Sequence, residues 1–359
     1  MNNKMKIIPV FVPHVGCTHD CVFCNQKRIT GKGTVQVNKK YVNDIVEEYI
    51  KTIDKNTMTE LAFFGGSFTA IEKGLQEELL EVGKFYKDNG TVQRIRMSTR
   101  PDAIDDEILN TQKKYGVDII ELGIQSLDDD VLKKSNRGHT RKDCFNASTL
   151  IKEYGFTLGH QVMPGLPGSS RQKDIQTCLD SISMRPDIVR IYPTLIIKDT
   201  QLLYMYECGE YSPLKLYEAV EITAHIYSLY ACENINVIRI GLQNTEAINE
   251  HEDVVGGPFH PAFRQLVEEE IYFVSLVNEL KKMNLNDSNL KICSNNKNIS
   301  NIAGQNKANL KKLKELFSIN HISFNNIKDE NIVEIYEDDI KKGSFYISDI
   351  YKNYLSNIQ

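Results

Sequence analysis

The chain has 359 residues, of which 41% are hydrophobic, 25% charged and 9% aromatic, with a net charge of −5. That composition belongs to a folded globular protein and excludes disordered, collagen-like and generally basic nucleic-acid-binding classes, leaving room only for a focused basic patch. Eight cysteines are too few for a disulfide-stapled scaffold, no leader pattern precedes them, and no apolar run approaches the roughly 20 residues of a bilayer-spanning helix, so the expectation is a cytoplasmic protein without a membrane span.

In chain order, β-branched runs predict strands at 7–12, 60–64, 92–98, 118–124, 157–163 and 187–192, with a seventh around 237–240. Helical periodicity falls between them, at 38–53, 73–87, 105–115, 141–154, 171–182 and 214–232. Such alternation predicts an α/β fold with a parallel sheet. Candidate ligand residues stand at several successive strand ends, which favours a partial (β/α)6 TIM-like barrel over an open doubly wound sheet. The barrel is expected over 1–245 and a helical extension over 246–285. A small α+β module is expected over 286–359, with a strand at 290–293, a helix-turn-helix pattern over 299–317 and strands at 321–324 and 332–336. The Asn-rich stretch 284–309 reads equally as a linker.

The first strand leads into Pro13-His14-Val15-Gly16-Cys17-Thr18-His19-Asp20-Cys21-Val22-Phe23-Cys24. Three cysteines this close reach one metal centre without long-range folding. Zinc would require a fourth ligand, for which His14 and His19 are available. The alternative is a [4Fe-4S] cluster with three thiolate ligands and one open iron. The C-x3-C-x-aromatic-C spacing resembles the radical S-adenosylmethionine (SAM) superfamily, with Phe23 as the aromatic residue. The resemblance implies one cluster on Cys17, Cys21 and Cys24, SAM bound at the open iron, a 5′-deoxyadenosyl radical, and a low-potential electron donor such as flavodoxin or ferredoxin. In such a site the cofactor carries the difficult chemistry and the protein orients it and excludes water and oxygen.

The later strand ends extend the likeness. Gly65-Gly66-Ser67-Phe68-Thr69 resembles the superfamily's glycine motif on the SAM amino group, although a Gly-Gly after a strand also reads as a plain turn. Gln125 and, twelve residues on, Arg137 match a SAM-holding pair in oxygen-independent coproporphyrinogen III oxidases, while Ser98 and Gln161 stand where that group carries acids. The bland readings are a strand-end cap for Gln125 and a solvated charge for Arg137. Longer phrases (Thr99-Arg100-Pro101-Asp102, Ile124-Gln125-Ser126, Asn136-Arg137-Gly138-His139-Thr140, Met163-Pro164, Leu166-Pro167 and Tyr192-Pro193-Thr194-Leu195-Ile196-Ile197) most resemble the radical-SAM half of the elongator catalytic subunit family, enzymes of tRNA wobble-uridine modification. Here the cysteines are more closely spaced than in that family, and no acetyl-CoA loop is recognisable. The resemblance assigns no further catalytic residue.

Toward the C-terminus, the run from Ile302 to Leu313 resembles the helix, glycine loop and helix of a KH domain, with Gly304 as first glycine and Lys307 in place of the second. Lys307, Lys311, Lys312 and Lys314 would then face RNA phosphates; the alternative is an ordinary amphipathic helix with a solvated lysine face. His260, in Gly256-Gly257-Pro258-Phe259-His260-Pro261, reads either as a proton relay or as a helix-start cap. No second C-x2-C pair follows, so one cluster is expected, and the remaining single cysteines read as packing residues. Two other functions stay open: tetrapyrrole or other small-molecule chemistry, and a zinc-binding RNA adaptor without catalysis.

Overall fold

The computed structural model describes residues 5–12, 17, 19–25, 37–54, 57–242, 253–283, 285 and 289–356, which divide into two compact units. His14 lies outside the described residues.

The first unit comprises residues 1–215 and 235–259. Its chain runs β1 (Met5–Val12), α1 (Lys39–Ile50), β2 (Met58–Gly65), α2 (Lys73–Asp88), β3 (Arg94–Thr99), α3 (Asp106–Lys114), β4 (Ile119–Gln125), α4 (Asp129–Lys134), α5 (Arg141–Glu153), β5 (Thr157–Val162), α6 (Arg171–Ser183), β6 (Ile188–Ile191), β7 (Ile196–Ile197) and α7 (Gln201–Glu207). After α8 (Leu216–Cys232), which belongs to the second unit, come β8 (Asn236–Ile240) and β9 (Val254–Gly256). Seven strands pair in parallel in the order β1-β2-β3-β4-β5-β6-β8, an open half-barrel that includes the seventh predicted strand. The repeat is punctuated by polar caps at helix starts, among them Asn38, Asp105, Asp128, Thr140, Ser170 and Thr200, each accepting a backbone N–H of the first turn. Because all seven strands point the same way, their carboxyl ends form a single rim.

The strand faces divide the work. On β5, His160 points into the helix layer, where its Nε2 meets Ser148 of α5 at 3.0 Å and its Nδ1 meets Ser181 of α6 at 2.8 Å. The alternate residues share the concave face, and register sets Glu60, Arg96, Glu121 and Arg190 there. These four charges, three buried and Arg190 half-buried, neutralise one another. Arg96 Nε meets Glu60 and Arg190 Nε meets Glu121 at 2.5 Å, as ion pairs rather than aligned hydrogen bonds, and Arg96 also bridges to Glu121. Removing any one member would strand a buried charge. Gly159 makes room for the network, since a Cβ there would lie 2.6 Å from Glu121 Cγ.

The second unit comprises residues 216–234 and 260–359. It adds to α8 the elements α9 (Phe263–Lys281), β10 (Asn289–Ser294), α10 (Asn296–Ala303), α11 (Ala308–Phe317), β11 (His321–Asn326), β12 (Ile332–Glu337), β13 (Ile340–Tyr346) and α12 (Ile350–Leu355). Its four strands run in the order β11-β10-β12-β13, with β10 and β11 parallel and the other pairs antiparallel. This division differs from the boundaries at 245 and 285 drawn on sequence. Helix α8 carries buried Ala219, Thr223, Ala224 and Ser228, small side chains that let α9 and α12 pack against it. Strand β13 and helix α12 were not foreseen; β13 is a Lys-rich edge strand whose pairing shifts register at Tyr336, which hides its alternation. Among the described residues no helix is long and apolar enough to cross a membrane.

Candidate cofactor site

The cysteine loop is built from the bottom by Val22, its fully buried apolar residue among the described ones. Val22 is buried with Ile196, Leu202 and Tyr211, and Phe23, Leu203 and Met205 pack around that cluster. Its main chain is held on both sides: Val22 N–H donates to Ser135 O at 3.2 Å and its carbonyl accepts from Leu202 N at 2.7 Å. Asn136 Nδ2 donates to Asp20 O at 2.8 Å, and Cys24 N–H turns back onto Cys21 O at 3.0 Å. Cys17, Cys21 and Cys24 stand half-buried, and none is in a disulfide.

The rim loops then close in on these thiols. Arg137 donates through Nη1 to Cys21 Sγ at 3.0 Å and through Nη2 to Gly123 O at 2.7 Å, with its guanidinium carbon 5.9 Å from the centre of the Phe23 ring. It is therefore buried against the cysteine loop rather than solvated. Gln125 ends β4 at φ +62°, a left-handed conformation that a non-glycine residue keeps only where surroundings impose it. Its carbonyl accepts from Met163 N at 2.8 Å, and its side-chain oxygen accepts from Gln161 Nε2 at 3.2 Å, so both glutamines face one another at the rim. Ser98 sits half-buried on the concave face of β3, level with Glu121.

At the end of β2, Gly65 has φ +111°, and a Cβ there would lie 2.9 Å from Val12 O, so no other residue fits without shifting the strand. Gly66 N–H donates to that same carbonyl at 2.8 Å, tying the glycine motif to the strand that enters the cysteine loop. Ser67 is buried and leads into a short 3-10 turn in which Phe68 packs on Phe63 at 4.7 Å and Thr69 Oγ1 lies 2.6 Å from Thr99 Oγ1. The whole motif is thus a joint between two strand ends.

Two groups escaped the sequence reading. Arg100, in the phrase noted above, is clamped by Asp102 through Nε at 2.9 Å and Nη2 at 2.8 Å, and Nη2 reaches His19 Nδ1 at 3.2 Å. Although burial works to raise it, the Asp102 carboxyl is held below its ordinary range by the Arg100 hydrogen bonds and charge. His139 is buried, donates through Nε2 to Ile124 O at 3.3 Å, and is pushed down to about 3 by burial and by the charge of Arg137. Only the arginine two positions earlier in the sequence signals this.

The residues fit an iron-sulfur cluster with SAM. Arg137 supplies positive charge beside a candidate thiolate, which favours an anionic centre. Arg137 Nε, Arg100 Nη1 and His139 Nδ1 are buried without a hydrogen-bond partner among the described residues, polar capacity of the kind a polar ligand takes up. His19, by contrast, already directs Nδ1 to Arg100. Among the described residues no three His, Cys, Asp or Glu side chains gather around one ion position.

The glycine loop of the second unit is of another kind. Gly304 has φ +71°, and Asn306 and Lys307 are also left-handed, so the turn forms without a second glycine. Gln305 N–H donates to Glu269 Oε2 at 3.0 Å and Asn309 Nδ2 to Glu269 O at 3.3 Å. Lys307, Lys311, Lys312 and Lys314 are exposed, with Lys312 lying 5.3 Å over the Phe273 ring. His260 acts as a cap, its Nδ1 accepting from Ala262 N at 3.1 Å.

Comparison with known proteins bears on the family and the fold. Residues 11–180 match the Radical SAM superfamily and residues 186–272 the Radical_SAM C-terminal domain. A tRNA uridine(34) acetyltransferase of Methanocaldococcus jannaschii is 29% identical over 204 residues, covering 51% of this chain and 38% of that protein. Elongator complex protein 3 of Schizosaccharomyces pombe is 32% identical over 171 residues, covering 46% of this chain and 31% of that protein. The chain thus spans well under half the length of these relatives. The solved structure of Methanocaldococcus infernus Elp3 lacking residues 1–46 shares the fold at a TM-score of 0.60 and 20% identity, covering 96% of this chain and 78% of that one.

Proposed function

We propose, from the premise that this chain belongs to the radical SAM superfamily and is an enzyme that uses one [4Fe-4S] cluster and SAM, that its substrate is a tRNA base. Similarity to tRNA-modifying relatives supports the substrate class. The observation that carries this reading is the Arg137 side chain, which spans from Gly123 O on β4 to Cys21 Sγ and so joins one residue expected to hold SAM to the cysteine loop.

When bound, the cluster and SAM supply a 5′-deoxyadenosyl radical able to abstract hydrogen from an unactivated position. Cys17, Cys21 and Cys24 would hold the cluster. Arg137, with one N–H still unused, offers a counter-charge to a carboxylate; Gly65 and Gly66 keep the backbone open to a ligand; Ser67, Ser98, Gln125 and Gln161 provide neutral polar groups; and Phe23 shields the loop. The two acids and two arginines of the network beneath cancel one another's charge. Lys307, Lys311 and Lys312 around Gly304 would add phosphate contacts. A flavodoxin- or ferredoxin-like donor would supply the electron, and the cytoplasm is the matching compartment.

Nucleoside mass spectrometry of tRNA from a deletion strain tests the substrate. Loss of one modified nucleoside supports the reading, and an unchanged profile transfers the substrate to small molecules. Iron and acid-labile sulfide analysis after anaerobic reconstitution tests the cofactor: bound zinc without sulfide would end the radical SAM reading.

A further inference from the structure

We propose that Arg100 is a positioning residue for the cysteine loop: clamped by Asp102, it holds the ring of His19, the residue midway in sequence between Cys17 and Cys21, and so keeps the loop in the shape that receives the cluster. The inference rests on Cys17, Cys21 and Cys24 being the cluster ligands.

Three observations carry it. First, the brace is continuous: Asp102 accepts from both Nε and Nη2 of Arg100, and Nη2 reaches His19 Nδ1 at 3.2 Å. The planar fork of arginine makes this geometry, and a lysine cannot reproduce it. Second, the ring has a fitted seat. Gly138, at φ +74°, passes directly beneath it, and a Cβ there would lie 2.5 Å from His19 Cε1 and Nε2. Third, Arg100 is only 5% exposed and its Nη1 has no hydrogen-bond partner among the described residues, so the guanidinium is buried at a cost that its surface-facing pairing with Asp102 alone does not explain. His19 is the middle residue between two ligands. Fixing it from β3 therefore sets the span from Cys17 to Cys21, while Asn136 and Arg137 fix the Cys21 end from the neighbouring loop.

The brace separates shape from charge, and the test uses both. In the anaerobically reconstituted full chain, Arg100→Lys keeps the charge and loses the fork. Iron release to a chelator is expected to rise about tenfold, the loss of one charge-assisted hydrogen bond. His19→Ala should show the same rise, and His19→Asn, whose side-chain oxygen can take the place of Nδ1, should restore release toward wild type. By EPR-monitored titration, Arg100→Gln should move the cluster midpoint more negative and Asp102→Asn more positive, opposite signs that a general loosening of the fold would not produce. Arg141→Gln, at the surface pair with Asp180, is the control and should change neither. Wild-type release rates in Arg100→Lys and His19→Ala, or midpoint shifts of one sign, would overturn the brace. Failure of the wild-type chain to take up iron and sulfide at all would instead overturn the cluster assignment on which it rests.

Discussion

Two glycine-containing loops, one in each unit, invite comparison because sequence offered both as ligand sites. The loop at 136–140 sends Arg137 to Cys21 and leaves Arg137 Nε and His139 Nδ1 buried without hydrogen-bond partners among the described residues, whereas the loop at 304–307 directs its Gln305 N–H onto the carboxylate of Glu269 in its own unit. The first holds polar capacity in reserve; the second is satisfied internally. Burying an unsatisfied polar group is costly, and a fold tolerates it where a ligand will complete it. If the second loop meets RNA, it does so through lysine side chains and not through the turn's backbone.

The sharpest way to break this contrast is Cys21→Ala, which should abolish 5′-deoxyadenosine formation under dithionite; undiminished turnover would remove the cysteine loop from the chemistry. Next, Arg137→Gln should lower that turnover about ten- to a hundredfold, the value of a charge-assisted hydrogen bond, measured at saturating substrate. In the second unit, Lys311→Glu with Lys312→Glu should weaken tRNA binding and flatten its dependence on log salt by about two, leaving SAM cleavage without tRNA intact. Unaltered affinity would remove the lysine face from recognition.

The helix layer gives a smaller, pH-dependent effect. Burial holds His160 at about 3, neutral between Ser148 and Ser181, while the unfolded chain titrates near 6.5. Between those values the unfolded state binds more protons, so stability is complete above pH 6.5 and falls on acidification, by up to about 5 kcal/mol at the lower limit. Melting from pH 7.5 to 5 should show a steeper decline in wild type than in His160→Gln. Asp174 has the opposite sign: burial lifts it to about 6 against hydrogen bonds from Ser169 and Gly165, so its contribution is lost as pH rises from about 4 to 6. Asp174→Asn should remove that component of the profile.

Much of the first unit was legible in the chain. Strands buried on both faces are continuous apolar runs, and Asn, Asp, Ser and Thr caps mark where helices begin, so the βα repeat and its rim could be read locally. In the second unit the same reading reached the first helices and strands and missed β13, where exposed lysines pair with Glu334 and Glu337 and replace the apolar alternation. The concave-face network was not legible at all. Glu60, Arg96, Glu121 and Arg190 look like ordinary surface charges until register places them side by side.

What the sequence determined alone is therefore what lies within a few residues: the cysteine spacing, the glycines that only glycine can occupy, the caps and the strand periods. Tertiary structure decided which of those features meet. Arg137 finds Cys21 across 116 residues and Arg100 finds His19 across 81. Such pairs depend on strand order and on the direction each rim loop takes, quantities set by packing over the entire sheet. A side chain's function here follows from that distant partner, and no local pattern encodes it.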